Sequence, residues 1–171
     1  MDVLIAEDDP ISRQRLHALL VKWGYTVVAT SDGLAALQAL QSEAAPKLVV
    51  LDWMMPELDG VEVCWRLREG PRPYPGYVIL LTAKGDRRDI VAGLEAGAND
   101  CVAKPFDPEE LRARVRVGER VLELQQSLAA RVRELEEARA QVKTLQGLLP
   151  ICAYCKKVRD DTNYWLQVET Y

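Results

Sequence analysis

The chain has no apolar stretch approaching the roughly 20 residues that span a bilayer, so no membrane-crossing helix is expected. It has no basic stripe either. Residues 1–106 hold 15 acidic and 11 basic side chains, which accounts for the whole formal charge of -4, and the segment from Asp107 onward carries 11 of each sign. Nothing in that distribution suggests contact with a nucleic-acid backbone. The N-terminus, MDVLIAEDDP, lacks the basic flank and long apolar core of a secretion signal, and a cytoplasmic location is expected. Histidine is nearly missing: His17 stands alone within a helical stretch, which argues against a phosphohistidine carrier and leaves it a structural residue. Cysteine is limited to Cys64, Cys101, Cys152 and Cys155, which a reducing compartment keeps as thiols or metal ligands.

What is present is 49% hydrophobic and 28% charged, enough for one packed domain and an appendage in 171 residues. Short apolar runs at 3–6, 26–29, 48–51, 77–81 and 101–103 alternate with amphipathic stretches of helical length. That alternation predicts α/β architecture, a doubly wound five-stranded parallel sheet covered by helices on both faces. Asp9 and Pro10 mark the start of the first helix, whose predicted apolar face is Ile11, Leu16, Leu19, Leu20 and Trp23, and Gly24 ends it. The second is predicted over 33–43 with Leu34, Leu37 and Leu40 inward, the third over 61–68 and the fourth over 86–95. For Cys64 and Trp65 on the third helix, core or interface packing is expected.

From Pro108 a single helical stretch runs to about Leu149. With Val121, Leu128, Leu135, Val142 and Leu149 at heptad position a, position d holds Val117, Leu124, Arg131, Ala138 and Leu145. Only Arg131 is polar among the ten, and valine at a with leucine at d favours a parallel homodimeric coiled coil. A helix of roughly 40 residues would be about 60 Å long, more than one domain of this size can cover. Gly118 is a candidate hinge, since glycine costs up to about 1 kcal/mol relative to alanine in a helix. The expected organisation is a sheet domain over 1–118, a coiled-coil helix over 119–149 and a short tail over 150–171.

In an open sheet of this kind the site lies at the carboxyl ends of the strands, beside the switch in strand order. That rule gathers Glu7, Asp8, Asp52, Thr82 and Lys104, each at or just after a strand end. Three carboxylates together are costly without a cation, and their hard oxygens suit Mg²⁺, with Mn²⁺ able to substitute. Asp52 follows LVVL directly, and an acid ending a buried strand calls for a chemical reason. A carboxylate can act as a nucleophile toward phosphorus, while Lys104 and Thr82 offer a positive charge and a hydroxyl to the phosphoryl oxygens. Asp9 is read as a helix cap. Trp53 and the Met54–Met55–Pro56 loop flank the acceptor and shape access to it.

The motifs AEDD, LDWMMPELDG, LLTAK and AKPF stand in the order and spacing of bacterial response-regulator receiver domains, and the resemblance covers roughly residues 2–120. It implies a flavodoxin-like receiver fold in which a sensor histidine kinase or phosphotransfer protein phosphorylates Asp52. It implies Mg²⁺ held by Asp8 directly, by Glu7 nearby, by Asp52 and by the backbone carbonyl of Met54. Thr82, the Ala83 amide and Lys104 would receive the phosphoryl group, and the Lys104–Pro105 bond would be cis. No separate turnover is implied beyond phosphorylation and self-dephosphorylation of Asp52, the latter slow because Met54 and Lys84 position no water. One position departs from the family: Cys101 stands where it usually has the aromatic half of a Thr–aromatic switch, so the switch here is read as Thr82 with Cys101.

The tail carries Cys152 and Cys155 as a CxxC, half of a tetrahedral Zn²⁺ site or a thiol pair. It resembles a short cysteine-containing extension of bacterial signalling proteins that has a second cysteine pair farther on, and no second pair is present here. Packing of an aromatic-rich cap by Tyr154, Tyr164 and Trp165 is the favoured reading of this segment, ahead of Zn²⁺. Two other readings of the chain stay open: a fragment of a larger regulator whose catalytic output has been removed, and an aspartyl-phosphate phosphatase. The second is disfavoured because Trp53 and Met54 stand where a proton-donating acid would be needed.

Overall fold

The computed structural model describes residues 1–42, 44–69, 73–83 and 87–148, together with 154–155, 157–159 and 165–166. The elements run β1 (Asp2–Ala6), α1 (Pro10–Lys22), β2 (Thr26–Thr30), α2 (Gly33–Leu40), β3 (Leu48–Asp52), α3 (Gly60–Arg68), β4 (Tyr77–Thr82), α4 (Arg87–Glu95), β5 (Asp100–Ala103) and α5 (Pro108–Leu148), then β6 (Val158–Arg159) and β7 (Trp165–Leu166). The five expected strands form one parallel sheet in the order β2-β1-β3-β4-β5. The chain divides into two compact units, Met1–Leu124 and Gln125–Tyr171.

In the first unit, β1, β3 and β4 are apolar along nearly their whole length because both faces of the sheet are covered. Successive side chains point to opposite faces, and the core divides accordingly. Leu4, Ala6, Val49, Leu51, Val78 and Leu80 pack with Ala36, Leu37, Leu40, Val63, Cys64 and Leu67 of α2 and α3. Val3, Ile5, Leu48, Val50, Ile79 and Leu81 pack with Leu16 and Leu20 of α1 and with Leu111, Val115 and Leu122 of α5. Three aspartates cap the helices that follow β1, β2 and β3. Asp9, Asp32 and Asp59 each accept the backbone N–H three residues on, from Ser12, Ala35 and Glu62, at 2.7 Å. The capping reading of Asp9 is met, and the hydrogen bond from Ser12 holds its carboxyl below the usual range.

Several helix expectations change. Ile11 is 78% exposed and Leu34 42% exposed. At about 100° per residue, Ile11 lies about 140° round α1 from Leu16, and Leu34 stands off the stripe formed by Ala36, Leu37 and Leu40. α2 ends at Leu40, with Gln41 as its C-cap, and Glu43 lies outside the described residues. Gly118 is no hinge. α5 runs through it unbroken, and a Cβ there would press on the Tyr77 ring at 2.6 Å and on Leu48 at 2.9 Å. Its bare backbone lets α5 sit close to the sheet. His17 is exposed on α1, Trp65 is 47% exposed, and Cys64 is fully buried.

In the second unit α5 continues with side chains that are exposed through Ala140, and β6 pairs antiparallel with β7. No helix among the described residues is long and apolar enough to cross a membrane.

Candidate functional site

Strand order reverses between β1 and β3, and the carboxyl ends of these two strands open side by side. β1 delivers Glu7 and Asp8, and β3 ends on Asp52. One oxygen from each of these three carboxylates lies within 4.8 Å of the others. Glu7 is 3% exposed and Asp52 7%, whereas Asp8 faces solvent. Lys104 reaches in from the end of β5. Its Nζ stands 2.7 Å from Glu7 Oε2 and 2.9 Å from Asp52 Oδ1. Thr82, 1% exposed, ends β4 beside them.

The backbone fixes these placements. Trp53 N–H donates to Leu81 O at 2.8 Å, Gly60 N–H to Trp53 O at 2.8 Å, and Lys104 N–H to Thr82 O at 2.6 Å, tying the ends of β3, β4 and β5 and the start of α3 together. The Lys104–Pro105 bond is cis, as expected. Asp8, Trp53, Met54, Asp59, Thr82 and Ala83 line a cleft of about 490 Å³ beside these strand ends. Met54 is 62% exposed at its rim. Lys84 lies outside the described residues.

Burial pushes the Glu7 carboxyl above its ordinary range; the hydrogen bond from Lys104 opposes that shift, and the Asp52 charge adds to it. Burial alone would lower Lys104, but its hydrogen bonds to Glu7 and Asp52 outweigh the effect and hold the ammonium above its usual value. Lys104 therefore contributes stability that is fully present below the ordinary lysine range and is lost only as pH rises beyond it. Three carboxylates against one ammonium still leave a net negative oxygen cluster, which fits a hard divalent cation of the Mg²⁺ class.

Sequence reasoning missed two residues here. Arg13 Nη1 donates to the Glu7 and Asp8 carbonyls at 2.6 and 3.0 Å, holding the acidic turn in place. In the sequence it is one more arginine on an amphipathic helix. Gly60 was visible only as the last letter of LDWMMPELDG. A Cβ on it would overlap the carbonyl oxygen of Asp52 itself.

Cys101, at the expected switch position, is half-buried. Its Sγ lies 3.8 Å from the Ile90 carbonyl of α4, and a Cβ on Gly93 would meet that sulfur at 2.9 Å. Burial first, and the Asp100 charge second, push its thiol up to about 11, and burial pushes Cys64 up to about 12. The thiolate is the reactive form, so at pH 8 only about one Cys101 in a thousand is primed. Alkylation by iodoacetamide at pH 8 is expected to be roughly 100-fold slower at Cys101 than in urea, and slower still at the fully buried Cys64. At Cys101 it should rise about tenfold per pH unit up to its folded value. Peptide mapping checks this, and Cys101 labelling at the rate of an unfolded thiol would contradict it. In the second unit Cys155 and Tyr154 are exposed, Tyr154 at 98%, so Tyr154 does not pack into a cap. Cys152 and Tyr164 lie outside the described residues.

A family model described as response regulator receiver domain matches residues 3–116. The chain is 49% identical over 115 residues to the probable transcriptional regulator ycf27 of Cyanophora paradoxa. It is 43% identical over 114 residues to the alkaline phosphatase synthesis transcriptional regulatory protein PhoP of Bacillus subtilis. Each alignment covers 67% of this chain and 46% of the relative, so the chain spans about half the length of the curated relatives it matches. These relatives are regulators and not classical enzymes. Among solved structures, the receiver domain of a sensor histidine kinase from Pseudomonas aeruginosa PAO1, with a magnesium ion coordinated in its active site cleft, is 29% identical. It aligns with a TM-score of 0.62 over 68% of this chain and 95% of that one. A probable two-component system response regulator/GGDEF domain protein is 35% identical, with a TM-score of 0.66 over 72% of this chain and 50% of that one. Sheet order, acidic cleft and family match coincide over the same segment, and the chain belongs to the response regulator receiver domain family.

Proposed function

We propose that Asp52 accepts a phosphoryl group from a sensor histidine kinase or phosphotransfer protein, and that α5 carries the resulting state into a parallel homodimeric coiled coil. The observation that carries the reading is Lys104 Nζ bridging Glu7 and Asp52 at the carboxyl ends of the strands. A buried carboxylate on a strand end, already in contact with a cation, is poised to receive an anionic group.

Glu7, Asp8, Asp52 and the Met54 carbonyl would hold Mg²⁺, or Mn²⁺ in its place, which supplies charge neutralisation for the phosphoryl oxygens. An Asp52 oxygen attacks phosphorus in line. The new O–P bond forms as the donor's bond to phosphorus breaks, and the electron pair of that bond leaves with the donor's imidazole or carboxylate. Lys104 exchanges a carboxylate oxygen for a phosphoryl oxygen. The Thr82 hydroxyl and Ala83 amide meet the two others, and Thr82 with the half-buried Cys101 forms the switch. Asp52 turns over only by gaining and losing this group. A kinase donor places the domain in the cytoplasm. In this reading residues 1–118 are the receiver, 119–149 the coil and 150–171 a tail with a candidate thiol or Zn²⁺ half-site at Cys152 and Cys155.

Incubation with Mg²⁺ and acetyl phosphate is expected to add the mass of one phosphoryl group, on the peptide containing Asp52, and EDTA is expected to block it. Protein that stays unlabelled with Mg²⁺ present, or that is labelled on another peptide, would overturn the assignment.

A further inference from the structure

We propose that α5 pairs with a second copy of itself in parallel and in register, and that a bridge from Glu134 of one copy to Arg139 of the other sets this orientation. The inference rests on the dimeric reading above and deepens it by naming the residues that choose the arrangement.

Along α5, Leu124, Leu128 and Leu135 are 64%, 66% and 70% exposed, and Val132 beside them is 45% exposed. Four large apolar side chains in one row on an exposed helix form a face that calls for a partner. A second copy suits it because the flanking charges are complementary to themselves in one arrangement only. With Leu128 and Leu135 at position a, Glu134 falls at g and Arg139 at e, five residues apart. In a parallel, in-register pair each g residue faces the e residue five positions on in the other helix. Glu134 then meets Arg139 twice, once on each side of the seam. The neighbouring g–e pairs, Arg120 with Gln125 and Ser127 with Val132, put no like charges together. An antiparallel pair sets g against g and e against e, so Glu134 and Arg139 would not face each other.

The same carboxylate accounts for the one charged residue in the seam. Arg131 occupies a d position, where two guanidinium groups would face each other across the pair. Its Nη1 lies 3.0 Å from Glu134 Oε2 on its own helix. Each Arg131 therefore brings its own counter-charge, and the two oxygens of Glu134 serve one cation from each helix. Both residues are largely exposed in the single chain, at 75% and 68% of their side-chain surface, so this pair gains weight only once a second helix excludes water.

Charge reversal tests the bridge in the full chain. Glu134→Lys opposes lysine to Arg139 on both sides and leaves Arg131 without its carboxylate, while Arg139→Glu opposes two pairs of carboxylates. Sedimentation equilibrium is expected to show each variant's dimer dissociation constant raised about tenfold or more over wild type, or about 1.4 kcal/mol. An equimolar mixture of the two variants, in which both Glu134–Arg139 positions are again attractive while one Arg131 still lacks its carboxylate, is expected to recover most of the loss, to within about threefold of wild type. Orientation is read separately. Leu128→Cys and Leu135→Cys, each alone, should both form disulfide-linked dimers through the introduced cysteine, mapped by mass spectrometry. An antiparallel pair allows at most one. Unchanged dissociation constants in a dimeric wild type would overturn the bridge and leave the dimer standing. A monomeric wild type would overturn both, and phosphoryl labelling of Asp52 is independent of either result.

Discussion

Asp52→Asn is expected to abolish phosphoryl incorporation while making the metal-free protein more stable, and Lys104→Met is expected to suppress incorporation while making it less so. The opposite signs follow from the charge count of one cluster. Three carboxylate oxygens lie within 4.8 Å of one another, and the ammonium of Lys104 touches two of those side chains. An amide at 52 removes one of the repelling charges and keeps the shape, though it gives up the ion pair with Lys104. The balance should be a gain of about 1 kcal/mol in EDTA. Methionine at 104 leaves Glu7 and Asp52, at 3% and 7% exposure, without their cation. Stripping one partner from a fully buried pair costs about 3–5 kcal/mol, and because Lys104 keeps 24% of its side-chain surface in solvent the expected loss is about 2–3 kcal/mol. Calorimetry in EDTA should show a melting temperature about 10 °C below wild type for Lys104→Met and a few degrees above it for Asp52→Asn. Equal destabilisation by both variants would mean that the cluster is not held under net negative charge.

The acidic cluster was legible in the sequence because each member sits where a buried strand ends, and the rule that places sites at strand carboxyl ends needs only the strands. Those were readable because β1, β3 and β4 are buried on both faces and spell continuous apolar runs. Helix faces were harder. Ile11 and Leu34 fit a list of apolar residues at roughly helical spacing, and only the sheet decides which 100° of the cylinder it covers. Loop-spanning contacts were invisible. Arg68 donates to the carbonyls of Tyr74, Gly76 and Gly97 and to Asn99 Oδ1, clasping the loops that enter β4 and β5. Nothing in the local sequence separates it from the solvated Arg66. Glycines misled in both directions: Gly118 was read for flexibility and serves close packing, and Gly60 was passed over although the acceptor's own backbone rests against it.

Gly60→Ala is expected to cost about 3 kcal/mol or more and to disable the acceptor in whatever protein remains folded. The added carbon would overlap the Asp52 carbonyl oxygen and come within 2.9 Å of Leu80 Cδ2. A leucine methyl can swing aside. The carbonyl cannot, because it belongs to the end of a central strand whose register is fixed by β4, with Asp52 opposite Leu81. Relief must come from α3 moving outward, which stretches the 2.8 Å hydrogen bond from Gly60 N–H to Trp53 O and loosens the turn that frames the cleft. Overpacking of an interior site costs about 1–3 kcal/mol where side chains can absorb it, and a collision with backbone belongs at or beyond the top of that range. Gly24→Ala is the control. A Cβ there meets nothing within 4 Å, so its cost is only that of a side chain at φ +96°, about 1–2 kcal/mol. Urea titration of both variants, with acetyl phosphate labelling well below their midpoints, separates the two effects. Gly24→Ala should be labelled like wild type, and Gly60→Ala at least about tenfold more slowly, since a misplacement near 1 Å can cost a phosphoryl-transfer site more than that. A Gly60→Ala protein labelled at the wild-type rate would show that the end of β3 does not need this glycine to aim Asp52.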